Sequence, residues 1–460
     1  QKYLLSGVLR RDASSRFGPE NAVGYFPSAS VGWNVSEEQF LRNNPIINSF
    51  KLRASYGVIG NDKIDDFAFI SRLDGEGVYS NNEEVNEADL LIGVAEGKLA
   101  NPKIKWENQI TSNFGFDLSL FDNKISVSVD AFNKKTEDLL IRAETSGLTG
   151  VRGIGSAAPT INAGTVENSG VEFLISYNDD FSEDFHFSTS FNSSTLRNEV
   201  TYVGSLAGFE QGGDFAVGSG ILPSRMTPGL PIGYFHGYRT EGIYQSQAEI
   251  DALNANAPAD KNGKNIYHTS AVAPGDLKFT DTNKDGKITE EDKTYIGDPI
   301  PEMTFGLNLG FSYKNIDFSA SAFASIGNDI VRDYERVNPK ANKSTRILDA
   351  WTPTNPSNTT PRLTEGASIN TDLFSDYFVE DASYLRIQNI QLGYTFSQNS
   401  VEKIGMDKLR VYTSVNNLHT FTKYSGYDPS ASSGDPIGGG IDRGFYPIAT
   451  TYMLGLNLSF

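Results

Sequence analysis

The chain has 460 residues, with 39 Lys and Arg against 57 Asp and Glu, no cysteine, and a hydrophobic content of 38%. The lack of cysteine excludes a disulfide framework and a thiolate metal site, and a net charge of −18 argues against nucleic acid, whose phosphates need a clustered excess of Lys and Arg. A transmembrane helix is excluded too, because it needs about 20 consecutive apolar residues and one of the longest apolar stretches, Leu90 to Ala95, has six with Gly93 among them.

No basic start followed by an apolar run is visible, and the first residues already read as strand, so a mature or truncated chain is expected. A length of 460 residues would suggest two or three soluble domains. However, 53 aromatics (3 Trp, 21 Tyr and 29 Phe), few helical periods and a hydrophobic content below the usual ~45–50% fit a large membrane β-barrel better. Its strands have one apolar and one polar face, and its interior is wet.

Taken in chain order, period-two alternation over about 9–11 residues predicts strands near 2–11, 22–35, 49–58, 104–120, 124–140, 165–177, 185–199, 305–313, 316–326, 383–396, 409–418 and 449–460. Phe114, Phe116, Leu118 and Leu120 alternate with Gly115, Asp117 and Ser119, and after the turn Asp122-Asn123 the pattern resumes with Ile125, Val127, Val129 and Ala131. Phe305, Leu307, Leu309 and Phe311 do the same, as do Ile316, Phe318, Ala320 and Ala322 beyond Lys314-Asn315. Leu385 and Ile387 are out of phase with Ile390, Leu392, Tyr394 and Phe396, which calls for a bulge near Gln388-Asn389.

The connections alternate in length, as outer-membrane barrels require with short periplasmic turns and long extracellular loops. Short ones fall at 36–48, 121–123, 178–184, 314–315 and 397–408, and long ones at 12–21, 59–103, 141–164, 200–304, 327–382 and 419–448. This parity places the strand-like piece Tyr234 to Tyr244 inside the 200–304 loop and the C-terminus on the periplasmic side. Residues 61–97 carry ten acidic and two basic side chains, and residues 276–298 seven and four, so most of the negative charge is solvated loop surface.

Four local features carry candidate chemistry. Tyr234, Phe235, Tyr238 and Tyr244 in the longest loop, with Trp351 in another, could stack on sugar rings or meet a partner; the same aromatics could instead form membrane girdles or loop cores. The segment Asp281-Thr282-Asn283-Lys284-Asp285-Gly286-Lys287-Ile288-Thr289-Glu290-Glu291-Asp292 matches a calcium loop, with oxygens from Asp281, Asn283 and Asp285, the Lys287 carbonyl, Gly286 at the sharp turn and Asp292 at position 12. It departs from that pattern in having Asp where Glu is usual and no incoming amphipathic helix. Phe460, ending the face of Tyr452, Leu454, Leu456 and Leu458, resembles a C-terminal barrel-assembly signal as well as a lipid-facing terminus. His186, His236, His268 and His419 are scattered without HxH or HExxH spacing. No GxSxG elbow occurs, so no enzyme and no catalytic cofactor are expected.

Several motifs together give the sequence a family likeness. They are Arg11 to Gly18 (RDASSRFG), Gly24-Tyr25-Phe26-Pro27-Ser28, Gly32-Trp33, Leu52-Arg53-Ala54-Ser55-Tyr56-Gly57, Trp106-Glu107, Asn168 to Glu172 (NSGVE), Ser383 to Ile387 (SYLRI), Leu392-Gly393-Tyr394, Asn416-Asn417-Leu418 and Tyr424 to Pro429 (YSGYDP). The chain resembles, over essentially its whole length, the C-terminal portion of the SusC/RagA family of TonB-dependent outer-membrane transporters of Bacteroidetes. The resemblance implies an all-β antiparallel transmembrane barrel, with about 12 strands here out of 22, in the outer membrane of a Gram-negative cell. It also implies an N-terminal plug, energy from the TonB–ExbB–ExbD complex, and a SusD-like surface lipoprotein that lids the barrel and helps capture oligosaccharides or peptides. The plug, the TonB box and roughly ten strands are not in this sequence, so residues 1–460 read as one part of a longer transporter. The alternatives are a non-energised receptor or adhesin barrel, a receptor for siderophore-type ligands and, remotely, a barrel hydrolase.

Overall fold

A residue run that alternates apolar and polar side chains can satisfy both lipid and water only as a strand, and twelve such runs form strands here. The computed structural model describes the chain except for residues 72–74, 81–89, 96–98, 143–158, 206, 218–219, 269, 336–340, 367 and 433–435. Asp74, Glu83, Glu84, Glu87, Asp89 and Glu96 of the acidic 61–97 stretch, and most of the 141–164 connection, lie outside the described residues.

The strands are β1 (Tyr3–Ala13), β2 (Val23–Asn34), β3 (Ile47–Asn61), β4 (Glu107–Leu120), β5 (Ile125–Glu137), β6 (Gly164–Ser182), β7 (Phe185–Thr195), β8 (Met303–Tyr313), β9 (Ile316–Ile326), β10 (Tyr384–Thr395), β11 (Lys408–Thr422) and β12 (Thr451–Ser459). Each pairs with its chain neighbours in one sheet. The chain divides into two compact units. The first holds β1 to β5 and the start of β6, with 196–210 and 227–230; the second holds the rest of β6, β7 to β12 and the remaining connections.

All twelve expected strands are present, with differences at several of their ends. β3 continues to Asn61 and β6 to Ser182, because hairpin pairing runs on into the aqueous rim, where polar residues such as Asp179 and Asp180 stay solvated. The expected 185–199 strand divides at Leu196: β7 pairs with β8 up to Thr195↔Met303, whereas Arg197–Val203 pairs with Gly164–Ser169. The phase reset in β10 is a bulge, since Ile387 pairs with His419 and Asn389 with Asn416, which skips Gln388. The tight turns use left-handed backbone at Phe121, Asp122 and Asn123 and at Lys314, the conformation that lets short hairpins follow the strand twist.

One face of the sheet is apolar across consecutive strands. In the first unit Leu52, Phe116 and Val129 lie side by side. In the second, Leu309, Ala320 and Ile390 do so. Leu5 is 83% and Leu454 80% exposed, which only a lipid solvent makes favourable over such an area. At the base of β1 and β2, Glu38 accepts hydrogen bonds from Lys2 Nζ (3.0 Å), Tyr3 Oη (3.0 Å) and Trp33 Nε1 (3.2 Å), and this ties the short turn to an aromatic pair at the membrane boundary.

The opposite face is polar and carries ion pairs laid over glycines. Arg53 of β3 donates to Asp117 of β4 (Nε, 3.0 Å) and reaches Asp130 of β5 across Gly115; a Cβ on Gly115 would lie 2.6 Å from Asp130 Oδ1. Likewise Arg410 Nε donates to Asp317 Oδ1 at 2.8 Å, crossing Gly393, whose Cβ would lie 2.5 Å from both partners. The water-type cores lie in the connections. Phe17, Ala68 and Ile104 form one in the first unit; the second unit has two larger clusters and a small one of Ile330, Ala382 and Tyr424.

If the face assignment is right, Leu309→Arg at mid-strand should destabilise the folded full-length protein in vesicles by about 2–4 kcal/mol. Asn308→Lys, one residue away on the wet face, should change the urea midpoint little.

Candidate functional site

The long connections of the second unit build a folded body of their own. Ser224–Met226, Tyr234–Gly237 and Thr294–Gly297 form part of one small sheet. Thr240–Ile243 pairs with Leu277–Phe279. Asp329–Arg332 lies between Val379–Asp381, antiparallel, and Ile441–Asp442, parallel. The last sheet joins two connections, and the Tyr238 N–H, donating to the Phe374 carbonyl at 2.9 Å, ties in the third. A helix, α1 (Gln247–Asn256), starts at Ser246, whose hydroxyl accepts from Glu249 N, the usual way to satisfy a first-turn donor.

The five aromatics singled out from the sequence are buried in this body. Phe235 is fully covered and packs with Phe215, Phe374 and Phe378. Tyr238 and Trp351 belong to a second cluster with Ile243, Leu277 and Phe279. Tyr234 stacks on Tyr295 at 5.8 Å, Tyr244 Oη lies 2.9 Å from His268 Nε2, and Trp351 Nε1 donates to Gln245 Oε1 at 2.9 Å. The expected stacking on a solute is corrected for these five residues: their faces are used up in packing, which is the loop-core reading. Trp351, the most accessible of the five, is 9% exposed.

The Asp281 to Asp292 segment closes on itself through its own hydrogen bonds. Asp281 accepts from Asp285 N (3.2 Å) and Gly286 N (2.8 Å), Asn283 from Asp285 N (2.9 Å), and Asp285 from Lys287 N (2.9 Å). Gly286 has φ +87°, open to glycine without strain. Asp292, fully buried, accepts from Thr282 N and Thr289 N, both at 2.8 Å, so position 12 staples the start of the loop to the short 3₁₀ turn Glu290–Asp292 that ends it. Among the described residues no group of three or more His, Cys, Asp or Glu side chains is set to hold a metal; the remaining oxygens here come from Asn283 and the Lys287 carbonyl.

Sequence reasoning missed the charged network at the centre of the body. Arg332 is fully buried. Its Nη1 meets Glu335 Oε1 at 2.6 Å, its Nη2 donates to the Tyr377 carbonyl at 3.1 Å, and Nε lies 3.0 Å from Glu380 but off the line of a hydrogen bond. Ser425 also donates to Glu380 through N and Oγ. Burial pushes the Glu380 carboxyl up, but the Ser425 hydrogen bonds and the Arg332 and Arg346 charges outweigh it and hold the pKa below the usual glutamate range. Asp276, 1% exposed, takes a two-pronged Arg362 (2.7 and 3.1 Å) and Asn370 Nδ2 (2.9 Å). Apart from the i,i+3 pair Arg332–Glu335, these partners are far apart in sequence, with Asp276 and Ser425 supplied by other connections, so no local spacing announces them.

Phe460 follows β12 on the side of Tyr452 and Leu454 and is 79% exposed, in line with the lipid-facing row.

Removing the fully buried Arg332 (Arg332→Met) takes a charged partner from the half-buried Glu335 and Glu380 and should destabilise the loop body by about 1–3 kcal/mol. This is measured as faster amide exchange in 329–332 and 376–381 with β8 and β9 unchanged. The pH response has a defined sign. Burial lowers the His268 pKa from 6.5 to about 4, so the stability that the neutral ring contributes is present above 6.5 and lost as pH falls toward 4. Exchange around Tyr244 and His268 should therefore accelerate over that window, and His268→Phe should flatten the response.

Comparison with known proteins places this architecture. Residues 2–418 match the family model described as TonB dependent receptor-like, beta-barrel. TonB-dependent receptor P3 of Formosa agariphila is 32% identical over 475 aligned residues, covering 100% of this chain and 44% of the relative. TonB-dependent receptor SusC of Bacteroides thetaiotaomicron is 33% identical over 471, covering 100% and 42%. The chain thus spans less than half the length of the curated relatives it matches. The fold of the RagAB peptide transporter superposes with a TM-score of 0.77 at 23% identity, covering 100% of this chain and 46% of that one. A two-faced strand sheet, folded loops and a family match over nine-tenths of the residues lead to one assignment: the chain belongs to the TonB-dependent receptor family of outer-membrane β-barrels.

Proposed function

We propose that this chain forms the C-terminal barrel portion and outer loop body of an importer of large nutrients, oligosaccharides or peptides, acting with a SusD-like surface lipoprotein. The observation that carries the reading is a loop body with its own cores and interlocked strands on a sheet of this family: a fixed outer surface suited to a lid and to a bulky cargo. The likeness to SusC and to the RagAB peptide transporter supports the same class. The two edge strands β1 and β12 leave backbone groups that hydrocarbon cannot satisfy, which supports completion by further strands into a larger barrel. Energy from the TonB–ExbB–ExbD complex belongs to the same proposal. In cells expressing the full-length protein, uptake of labelled oligosaccharide or peptide should stop when the proton-motive force is collapsed or the adjacent lipoprotein is deleted. Undiminished accumulation in both cases would favour a passive receptor.

We also propose that the Asp281 to Asp292 loop takes calcium to rigidify the long connection. Its self-closed geometry and the side-chain oxygens of Asp281, Asn283 and Asp285 at loop positions 1, 3 and 5 support this. Calcium should slow proteolysis between residues 200 and 304, and Asp281→Ala together with Asp285→Ala should remove the protection; calorimetry without calcium heat would count against it.

A further inference from the structure

The loop body encloses a cavity of about 730 Å³ that the aromatics expected from the sequence do not line, a size within the usual ~300–1,000 Å³ of ligand sites. Its lining charges are Lys343, Arg346 and Arg362 against Glu335 alone, a local cationic excess in a chain of net charge −18. Behind the wall, Asp276 and Glu380 are engaged by Arg362, Arg332 and Arg346.

Two of these cations are held in place before any ligand arrives. Arg346 donates through Nη1 to Glu380 Oε1 at 2.9 Å and lies over the Tyr377 ring at 5.5 Å. Arg362 is clamped through Nε and Nη2 on Asp276. Among the described residues, the Nε and Nη2 of Arg346 and the Nη1 of Arg362 have no hydrogen-bond partner. A fixed guanidinium with open N–H groups is well matched to a carboxylate or sulfate, and pre-organisation lowers the cost of binding. The Tyr427 ring, on the same cavity, is 77% exposed and offers an apolar face. The rest of the wall is rich in hydroxyls and amides, including Asn342, Thr345 and Thr364. No lining residue lies in a strand, so there is no sheet edge on which an extended peptide could pair its backbone.

We propose that this cavity binds an acidic saccharide, a sugar segment bearing uronate carboxylates or sulfate esters, with Arg346, Arg362 and Lys343 on the anion and Tyr427 under a ring. The inference rests on the import reading and narrows its cargo class. The test is calorimetric titration of the purified full-length transporter with trigalacturonate, a sulfated trisaccharide, maltotriose and triglutamate, at low and high salt. Trigalacturonate, the sulfated trisaccharide or both should bind, weaken as salt rises, and lose at least tenfold in affinity in Lys343→Gln/Arg346→Gln; which of the two binds separates uronate from sulfate. Tyr427→Ala, an exposed position that cannot unfold the body, should cost several-fold as well. Equal binding by wild type and both variants, maltotriose binding as tightly as the acidic sugars, or triglutamate binding alone would each overturn the proposal. Energy-dependent uptake of another cargo that survives in these variants would show that import stands while this assignment falls.

Discussion

Everything in this molecule follows from the requirement that a backbone in hydrocarbon satisfy its N–H and C=O groups internally. Strands meet it by pairing, and pairing fixes side chains to alternate faces. The apolar face is left to lipid, and the inner face is left to water and to charges that must compensate one another. That is why Arg53 with Asp117 and Asp130, and Arg410 with Asp317, bridge strands on the inner face. It is also why Gly115 and Gly393 lie beneath them, since any larger side chain there would displace the charge from its partner. The low hydrophobic content of 38% is the composition of such two-faced strands plus polar connections.

The same constraint decides what could be read from the sequence. Strand positions, the Asp122-Asn123 and Lys314-Asn315 turns and the bulge at Gln388 all depend on residues within a few positions of one another, so the period-two pattern exposed them. The calcium-like loop was legible for the same reason: its oxygens lie within one short segment. What escaped was non-local. Arg362 and Asp276 are 86 residues apart and Arg346 and Glu380 are 34 apart, and no periodicity links them. The aromatic run Tyr234 to Tyr244 was visible as aromatic, but whether a ring faces a solute or a neighbour depends on Phe215 and Tyr295, distant in the same connection, and on Phe374, which another supplies.

The loop body makes a second physical point. Ordering a connection of this length costs about 1–2 kcal/mol of backbone entropy per residue, and nothing in the membrane repays it. The repayment comes from clusters such as Phe215–Phe235–Phe374–Phe378 and from small sheets that tie one connection to another. An outer surface stabilised in this way keeps one shape between encounters, which a lid or a cargo can recognise without first paying to order it.

Rigidity also explains how an acidic surface can carry a cationic site. Free lysines and arginines among so many carboxylates would pair with whichever was nearest and cancel. Asp276 and Glu380, both held by the body, instead use up only part of each guanidinium, and Tyr377 holds the Arg346 plane against its ring. The acids thus act as clamps that hold the cations at the cavity wall and leave other N–H groups uncommitted. Surrounding acidity then becomes a filter. It repels polyanions from most of the surface, so an acidic ligand is favoured where the local sign reverses, within about 8–10 Å in physiological salt.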